Sequence, residues 1–501
     1  MKPLSATDSA FLWMETRNQP MHVAGLNLYT PPRGAGADYI SNLMADWGQH
    51  LAALSPFNQR PVLRLGRWHW EEDKEFELDY HLRHVALPKP GRIRELLAMV
   101  SHLHGNLMDR NRPLWEMVVI EGLPEGRFAT YTKIHHALVD GVTGARMLAQ
   151  SLAGTAKELK PPFWAQDLTK PTRSGAATHP AAGSRAKAVP QGLLAQLSLA
   201  ARAGQEILPG IGSGLRDLLF GGSTNEMQGA QGGGQSAMAM PFQAPPTPFN
   251  VQISGSRRFA SQSYSLARLK LIGDATGATV NDVTLAICAG ALRKYLQVQG
   301  KLPKKPLVAM VPVSLHSETD AGGNQVSLLL ANLATHLADP LARLKHIVQS
   351  TTEAKDRLKA MPRLQKMAHG MTSISPMGAG MITGGAKQRP AFNVVISNVP
   401  GPKNTLYLNG ARLDEVYPVS IAAHYLALNI TINGYGDNLG FGYIACRRSV
   451  PHLQRMLDYT DDAIDELEQA LVQSTATETP KGPKVRKPAV KRATAPKAKS
   501  K

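Results

Sequence analysis

The sequence predicts an α/β protein of two halves, each mixing strands with helices, and three observations carry that prediction. Residues 1 to 160 alternate short extended segments with helical ones. Residues 161 to 250 shift to Pro, Gly, Ala, Ser and Gln, including three glycines at 232 to 234 and Pro245-Pro246-Thr247-Pro248, which is the composition of a linker. Regular patterning resumes at 251 and runs to 472, and at 501 residues the chain exceeds one ordinary core.

Taken in order, Met21 to Tyr29 reads as a strand, Asp38 to Leu54 as a helix, Phe76 to Val85 as extended chain and Arg92 to Met108 as a helix. A β-hairpin follows, with arms Trp115 to Ile120 and Arg127 to Ile134 joined by Gly122-Leu123-Pro124-Glu125-Gly126. Within the linker, Leu193, Leu197, Ala201, Gly204 and Leu208 recur at helical spacing. Positive charge there is sparse, which favours docking onto the domains over lying on a lipid surface. In the second half, Asn281 to Leu296 reads as a helix burying Val283, Ile287, Ala291 and Leu292, with Asn281 and Asp282 as its capping pair. Strands are expected at 307 to 315 and 325 to 333, then a helix from Pro340 to Lys359. A strand from Phe392 to Val399 ends in Asn398-Val399-Pro400-Gly401-Pro402, a rigid turn that cannot extend a sheet. Asn409-Gly410 and Asn433-Gly434 read as tight hairpin turns, and an amphipathic helix from Pro451 to Leu471 closes the second half.

Hydrophobic residues make up 43% of the chain and the mean hydropathy is −0.20, with no run of about eighteen apolar residues to span a bilayer. The first residues carry no apolar signal core, so a cytoplasmic protein is expected. The net charge of +18 suggests nucleic-acid binding until its location is considered. Residues 481 to 501 hold nine Lys and Arg and no acid, half of the excess, in a Lys-, Ala- and Pro-rich tail (473 to 501) expected to be disordered. A solvated tail that keeps the protein soluble is the default expectation, with binding to anionic headgroups, or non-specifically to nucleic acid, as the alternatives. Cys288 and Cys446 lie among apolar neighbours without metal-type spacing and read as buried thiols.

Chemistry concentrates in Tyr131-Thr132-Lys133-Ile134-His135-His136-Ala137-Leu138-Val139-Asp140-Gly141, at a strand-to-helix turn. A histidine, with an ordinary pKa of about 6.5, accepts a hydroxyl proton in the transition state and returns it to a leaving group. His136 is the candidate base. Asp140 is placed to cap the following helix and Gly141 lets the chain turn, so a structural role is expected for the carboxylate. Metal binding is disfavoured because the spacing lacks the His-x-x-x-His face that brings two imidazoles together. A histidine pair without chemistry, and a peptide-forming condensation domain sharing HHxxxDG, remain alternatives for the motif in isolation.

The flanks add Asn111-Arg112-Pro113-Leu114-Trp115-Glu116 upstream, and Asn281-Asp282-Val283 and Ser397-Asn398-Val399-Pro400-Gly401-Pro402 downstream. Together with Leu4-Ser5-Ala6-Thr7-Asp8 to Leu12 and Pro20-Met21-His22-Val23, the chain over residues 4 to 470 resembles the bacterial wax ester synthase / diacylglycerol acyltransferase family. The resemblance implies two domains similar to chloramphenicol acetyltransferase with the active site at their interface. It implies a long-chain acyl-CoA as co-substrate, a fatty alcohol or diacylglycerol as acceptor, no further cofactor, no metal, and peripheral contact with the inner membrane or lipid inclusions. By the same resemblance His136 is catalytic, and His135 and Asp140 support its geometry. Gly141, Pro113, Leu114, Trp115, Asn281, Asp282, Ser397, Asn398, Pro400 and Gly401 bind substrate or shape the site. The alternative of another class is a catalytically silent protein coating lipid inclusions.

Overall fold

The computed structural model describes residues 2–139, 141–167, 239, 242–314, 326–360 and 389–477. The first half runs β1 (Lys2–Pro3), α1 (Ala6–Met14), β2 (His22–Thr30), α2 (Tyr39–Trp47), β3 (Gln59–Arg64), β4 (Arg67–Glu72), α3 (Leu78–His81), β5 (Leu82–Ala86), α4 (Ile93–Gly105), β6 (Trp115–Glu121), β7 (Phe128–His135) and α5 (Gly141–Ser151). The second runs β8 (Arg257–Ser265), α6 (Leu266–Thr276), α7 (Val280–Val298), β9 (Val308–Ser314), β10 (Val326–Asn332), α8 (Pro340–Ala360), β11 (Val394–Val399), β12 (Tyr407–Leu408), β13 (Ala411–Val419), β14 (Leu428–Tyr435), β15 (Asn438–Cys446) and α9 (Arg455–Thr477). The expected linker helix and most of the basic tail lie outside the described residues.

Two six-stranded sheets dominate, ordered β12-β13-β2-β7-β6-β5 and β10-β9-β11-β14-β15-β8, beside a small sheet β1-β4-β3. The hairpin β6–β7 forms as the alternating apolar residues require, pairing Trp115 with Ile134 and Ile120 with Ala129. The second sheet is closed over by α7, α8 and α9, whose apolar faces join Ile430, Ile432, Phe441 and Tyr443 in one core.

A division of the chain near residue 250 does not capture β12 and β13. Both come from the second half yet pair into the first sheet, β13 running antiparallel to β2 from Arg412 opposite Thr30 to Val419 opposite Ala24. That crossing brings the two large sheets into contact. Gly440 and Gly442 on β15 lie so close to β13 that an added Cβ would sit 2.1 Å from the Val416 carbonyl oxygen and 1.9 Å from that of Pro418. Only glycine admits this approach.

Of the two expected hairpin turns, one forms and one does not. Asn409 and Gly410 do form the β12–β13 turn, with φ of +44° and +91°. Asn433 and Gly434 do not turn: they continue β14, paired with Gly440 and Leu439, and the chain reverses at Gly436-Asp437. The close packing here constrains Gly401 instead, because the Gly434 carbonyl oxygen occupies the space a Cβ on Gly401 would need. The cap of α7 is Thr279 rather than Asn281 or Asp282. The Thr279 hydroxyl accepts from the Asp282 N–H at 3.2 Å while the Asp282 carboxylate accepts from the Thr279 N–H, a capping box starting two residues earlier than the Asn-Asp pair suggests.

Candidate active site

β7 ends at His135, and the chain turns immediately, with the Leu138 N–H donating to the His135 carbonyl at 2.9 Å. His136 therefore stands at the lip of the first sheet, half-buried, while His135 points into it, fully buried. The His136 N–H donates to the Met21 carbonyl (2.9 Å), and its ring stacks on Phe11 of α1, centroids 4.1 Å apart and planes 24° apart. The opening motif thus has a local explanation. Ser5 caps α1 by accepting from the Asp8 N–H at 3.0 Å, and the helix so started presents Phe11 to the histidine.

His135 is held on three sides. Its N–H donates to the Leu114 carbonyl (3.0 Å), and its Nδ1 accepts from the Ala137 N–H (3.0 Å). A ring nitrogen that accepts carries no proton, so the proton of the neutral ring is on Nε2, which faces Glu15 Oε1 at 3.4 Å. Glu15 also accepts from the Met21 N–H (3.1 Å) and, through Oε2, from Arg110 Nη2 (2.9 Å) and Nε (3.1 Å). Burial raises the Glu15 carboxyl, but the hydrogen bond of His135, the Met21 N–H and the Arg110 guanidinium outweigh it, leaving the group below its ordinary range. One carboxylate thereby ties His135 to the residue whose carbonyl positions His136.

Beneath this turn lies a buried polar floor. His22 faces His135 across the β2–β7 pair. It donates from Nε2 to the His104 carbonyl (2.8 Å), and His104 in turn donates from Nε2 to the Ser420 carbonyl and accepts at Nδ1 from the Tyr131 hydroxyl, both 2.8 Å. Burial drives the His104 imidazole down to about 3 and that of His22 well below its ordinary value, so both stay neutral. Lys133 and Glu116 pair across the strands at 3.1 Å, and burial lowers the lysine against the pull of the glutamate. Ser420 follows β13, so His104 joins the two halves at this point. The loop after Glu15 does the same: the Asn18 carbonyl accepts from Arg257 Nη2 (2.8 Å) and Gln19 Oε1 from the His424 N–H (2.6 Å).

The other sequence candidates divide. Leu114 acts through its carbonyl on His135, while Pro113 and Trp115 are fully buried. Trp115 donates Nε1–H to the Phe57 carbonyl (2.8 Å) and stacks against His81 and Trp164, a core position and not a wall of the site. Gly141 begins α5, whereas Asp140 lies outside the described residues. Asn281 is half-buried on the first turn of α7, and Asp282 also accepts from the Thr351 hydroxyl at 2.8 Å, bracing α7 against α8. Ser397 and Asn398 pair along β14, and Pro400 and Gly401 form the turn beyond, so this motif fastens the second sheet. Among the described residues no group of three or more His, Cys, Asp or Glu is arranged to hold a metal ion. Glu15, Arg110, His22 and His104 escaped the sequence reading as site residues. His22 alone left a signal, the Pro-Met-His-Val run.

Comparison with known proteins agrees with this geometry. A family model described as the wax ester synthase/diacylglycerol acyltransferase catalytic domain matches residues 4–284, and the corresponding C-terminal domain model matches residues 322–468. An O-acyltransferase WSD of Acinetobacter baylyi is 40% identical over 96% of this chain and all of that one. A putative diacylglycerol O-acyltransferase of Mycobacterium tuberculosis is 42% identical over 93% of this chain and all of its own. The solved wax ester synthase/diacylglycerol acyltransferase from Marinobacter aquaeolei superposes with a TM-score of 0.75 at 40% identity, covering 94% of this chain and 100% of that one. The first condensation domain of the CDA synthetase shares the fold, with a TM-score of 0.53 at 14% identity over 94% of this chain and 96% of its own.

Proposed function

The chain belongs to the wax ester synthase/diacylglycerol acyltransferase family, and from that premise we propose that it moves a long-chain acyl group from coenzyme A to the hydroxyl of a fatty alcohol or a diacylglycerol. The observation that supports this most is His136 itself, half-buried at a strand end, its ring fixed by Phe11 and its backbone by Met21. In this reading His136 takes the acceptor's proton as the oxygen attacks the thioester carbonyl. The tetrahedral adduct collapses with cleavage of the carbon–sulfur bond, and His136 returns the proton to the departing thiolate. No acyl-enzyme is needed.

His135 is a positioning residue, since its ring nitrogens are engaged by the Ala137 N–H and faced by Glu15. Leu114 and Gly141 shape the turn, Asp140 steadies it, and Asn281 remains the candidate in the second half for orienting groups at the site. The protein is expected to work from the cytoplasm at a lipid surface, without a cofactor other than its acyl-CoA co-substrate.

The test is release of coenzyme A thiol from palmitoyl-CoA, with hexadecanol or diacylglycerol as acceptor. Release should depend on the acceptor, and His136→Ala should lower it by about 10²-fold or more with the melting temperature unchanged. Undiminished turnover in that variant would remove His136 as the base.

A further inference from the structure

The small sheet β1-β4-β3 turns an apolar edge to solvent. β3 and β4 are joined by Leu65 and Gly66, both in the left-handed region with φ of +48° and +74°. Such two-residue hairpins favour Asn-Gly or Gly-Gly, because a side chain in that conformation crowds the following carbonyl. Here the first position is a leucine, and its side chain is wholly exposed (104%).

The register explains what surrounds it. Leu63 lies opposite Trp68 and Pro61 opposite Trp70, so these four share one face, while Arg64 opposite Arg67 and Arg60 opposite Glu71 share the other. Trp13 of α1 extends the apolar face, 5.6 Å from Trp68 and 58% exposed. Arg64 is paired with Glu71 at 2.8 Å, and Arg67, exposed on the other side of the leucine, is the cation the tip presents. Lys2, exposed on β1, adds a further cation.

We infer that this hairpin edge docks on a lipid surface bearing anionic headgroups, with Leu63, Leu65 and Trp13 entering the interfacial layer while Arg67 meets the phosphates. Apolar side chains flanked by Arg are the composition such a layer binds. The location suits the lipid acceptor proposed above, on which this inference rests. Trp13 sits on the outer side of α1, and Phe11, two residues earlier, stacks on His136 from the inner side. The docked face therefore stands about one helix diameter, ~10 Å, from the catalytic ring.

The experiment is co-flotation of the full-length protein with vesicles of phosphatidylcholine alone or with phosphatidylglycerol added, in the absence of substrate, so that its outcome is independent of acyl transfer. The parent protein should bind the anionic vesicles more strongly. The double variant Leu63→Ser, Leu65→Ser should lose about tenfold in partitioning, and Arg67→Glu should weaken binding only to the anionic vesicles, all at an unchanged melting temperature. His136→Ala should float like the parent. Parental flotation of the double variant would assign docking to another part of the chain, and failure of the parent to float on either vesicle would leave a protein partner as the occupant. Either result overturns the proposal. Absence of acyl transfer with flotation intact would instead count against the proposed reaction alone.

Discussion

In the first sheet the buried titratable side chains gather at one strand end: Glu15, His22, His104, His135 and the Lys133–Glu116 pair all lie under the turn that carries His136. In the second half Arg257, Asp282 and Arg343 are buried too, but they stand apart, and each secures backbone or a helix end. Arg257 donates to the Asn18 and Ala422 carbonyls, Arg343 to the Leu337 carbonyl at 3.1 Å, and Asp282 completes the capping box. Charges set apart from one another and bound mainly to backbone, Arg343 also facing Glu466 at 3.7 Å, fix the fold. Titratable groups that face one another in a dry environment also fix where protons reside, and that is what a general base requires of its surroundings. The two halves share an architecture, and among the described residues the cluster of facing titratable groups lies in the first.

Paired substitutions test that difference most sharply. Glu15→Ala would take the carboxylate from the Arg110 guanidinium, which keeps the Leu12 carbonyl, leave the Met21 N–H without its acceptor and release His135. Turnover should fall by about 10- to 100-fold through kcat, with KM little changed, since positioning and not substrate contact is lost. Glu15→Gln, which keeps an acceptor for the Met21 N–H, should recover part of it. Asp282→Ala should act in the opposite sense, lowering stability by about 2 kcal/mol through loss of the cap and of the Thr351 hydrogen bond. Its kcat per folded molecule should be preserved. A kcat loss in Asp282→Ala as large as that in Glu15→Ala would abolish the distinction drawn here.

The pH dependence of stability should also be set in the first half. The folded-state pKa of His104 is depressed to about 3, so between its unfolded value of about 6.5 and that point the unfolded chain binds a proton that the folded chain does not. Stability is therefore unaffected by this residue above pH 6.5 and falls as the pH drops below it, by on the order of 2 kcal/mol at pH 5. His22, lowered in the same direction by burial, adds to the loss. Urea midpoints measured from pH 7.5 to 5 should drop steeply, and His104→Gln should flatten the curve by about one proton's worth. A parental slope in that variant would show that His104 does not stay neutral in the fold.

Much of this arrangement was legible in the chain. The alternation of residues 115 to 134 specifies the hairpin, and the paired histidines after it announce the site, because both patterns are local in sequence. What was hidden is non-local. Glu15 and Arg110 meet across 95 residues, and no spacing rule joins a helix-terminal acid to an arginine in a later loop. β13 leaves its own half to pair with β2, although its alternation would suit either sheet. Asn433-Gly434 has the local propensity of a turn, whereas the pairing that carries β14 on through both residues, opposite Gly440 and Leu439, is tertiary. Thr279 caps the helix although the Asn-Asp pair beside it satisfies the same local preference, so propensity alone does not choose between them. Trp115 was expected to shape the site as part of Pro-Leu-Trp, yet the contact with the histidines comes from the Leu114 carbonyl, a backbone group that no side-chain motif reveals.

The smallest expected effect concerns a hairpin tip of the first half that keeps a residue unsuited to its backbone. Leu65 holds a left-handed conformation without any packing to justify it. Asparagine tolerates that region far better, so Leu65→Asn should raise stability by about 0.5 to 1 kcal/mol, read as a higher urea midpoint with the m-value unchanged. The gain would be visible only in solution. If Leu65 is retained for the lipid surface, the same variant should bind anionic vesicles more weakly while unfolding later, a divergence that a purely structural turn residue would not produce. A variant more stable and equally well bound would mean that the leucine serves neither the fold nor the interface, and would leave Trp13 and Leu63 to carry the docking by themselves.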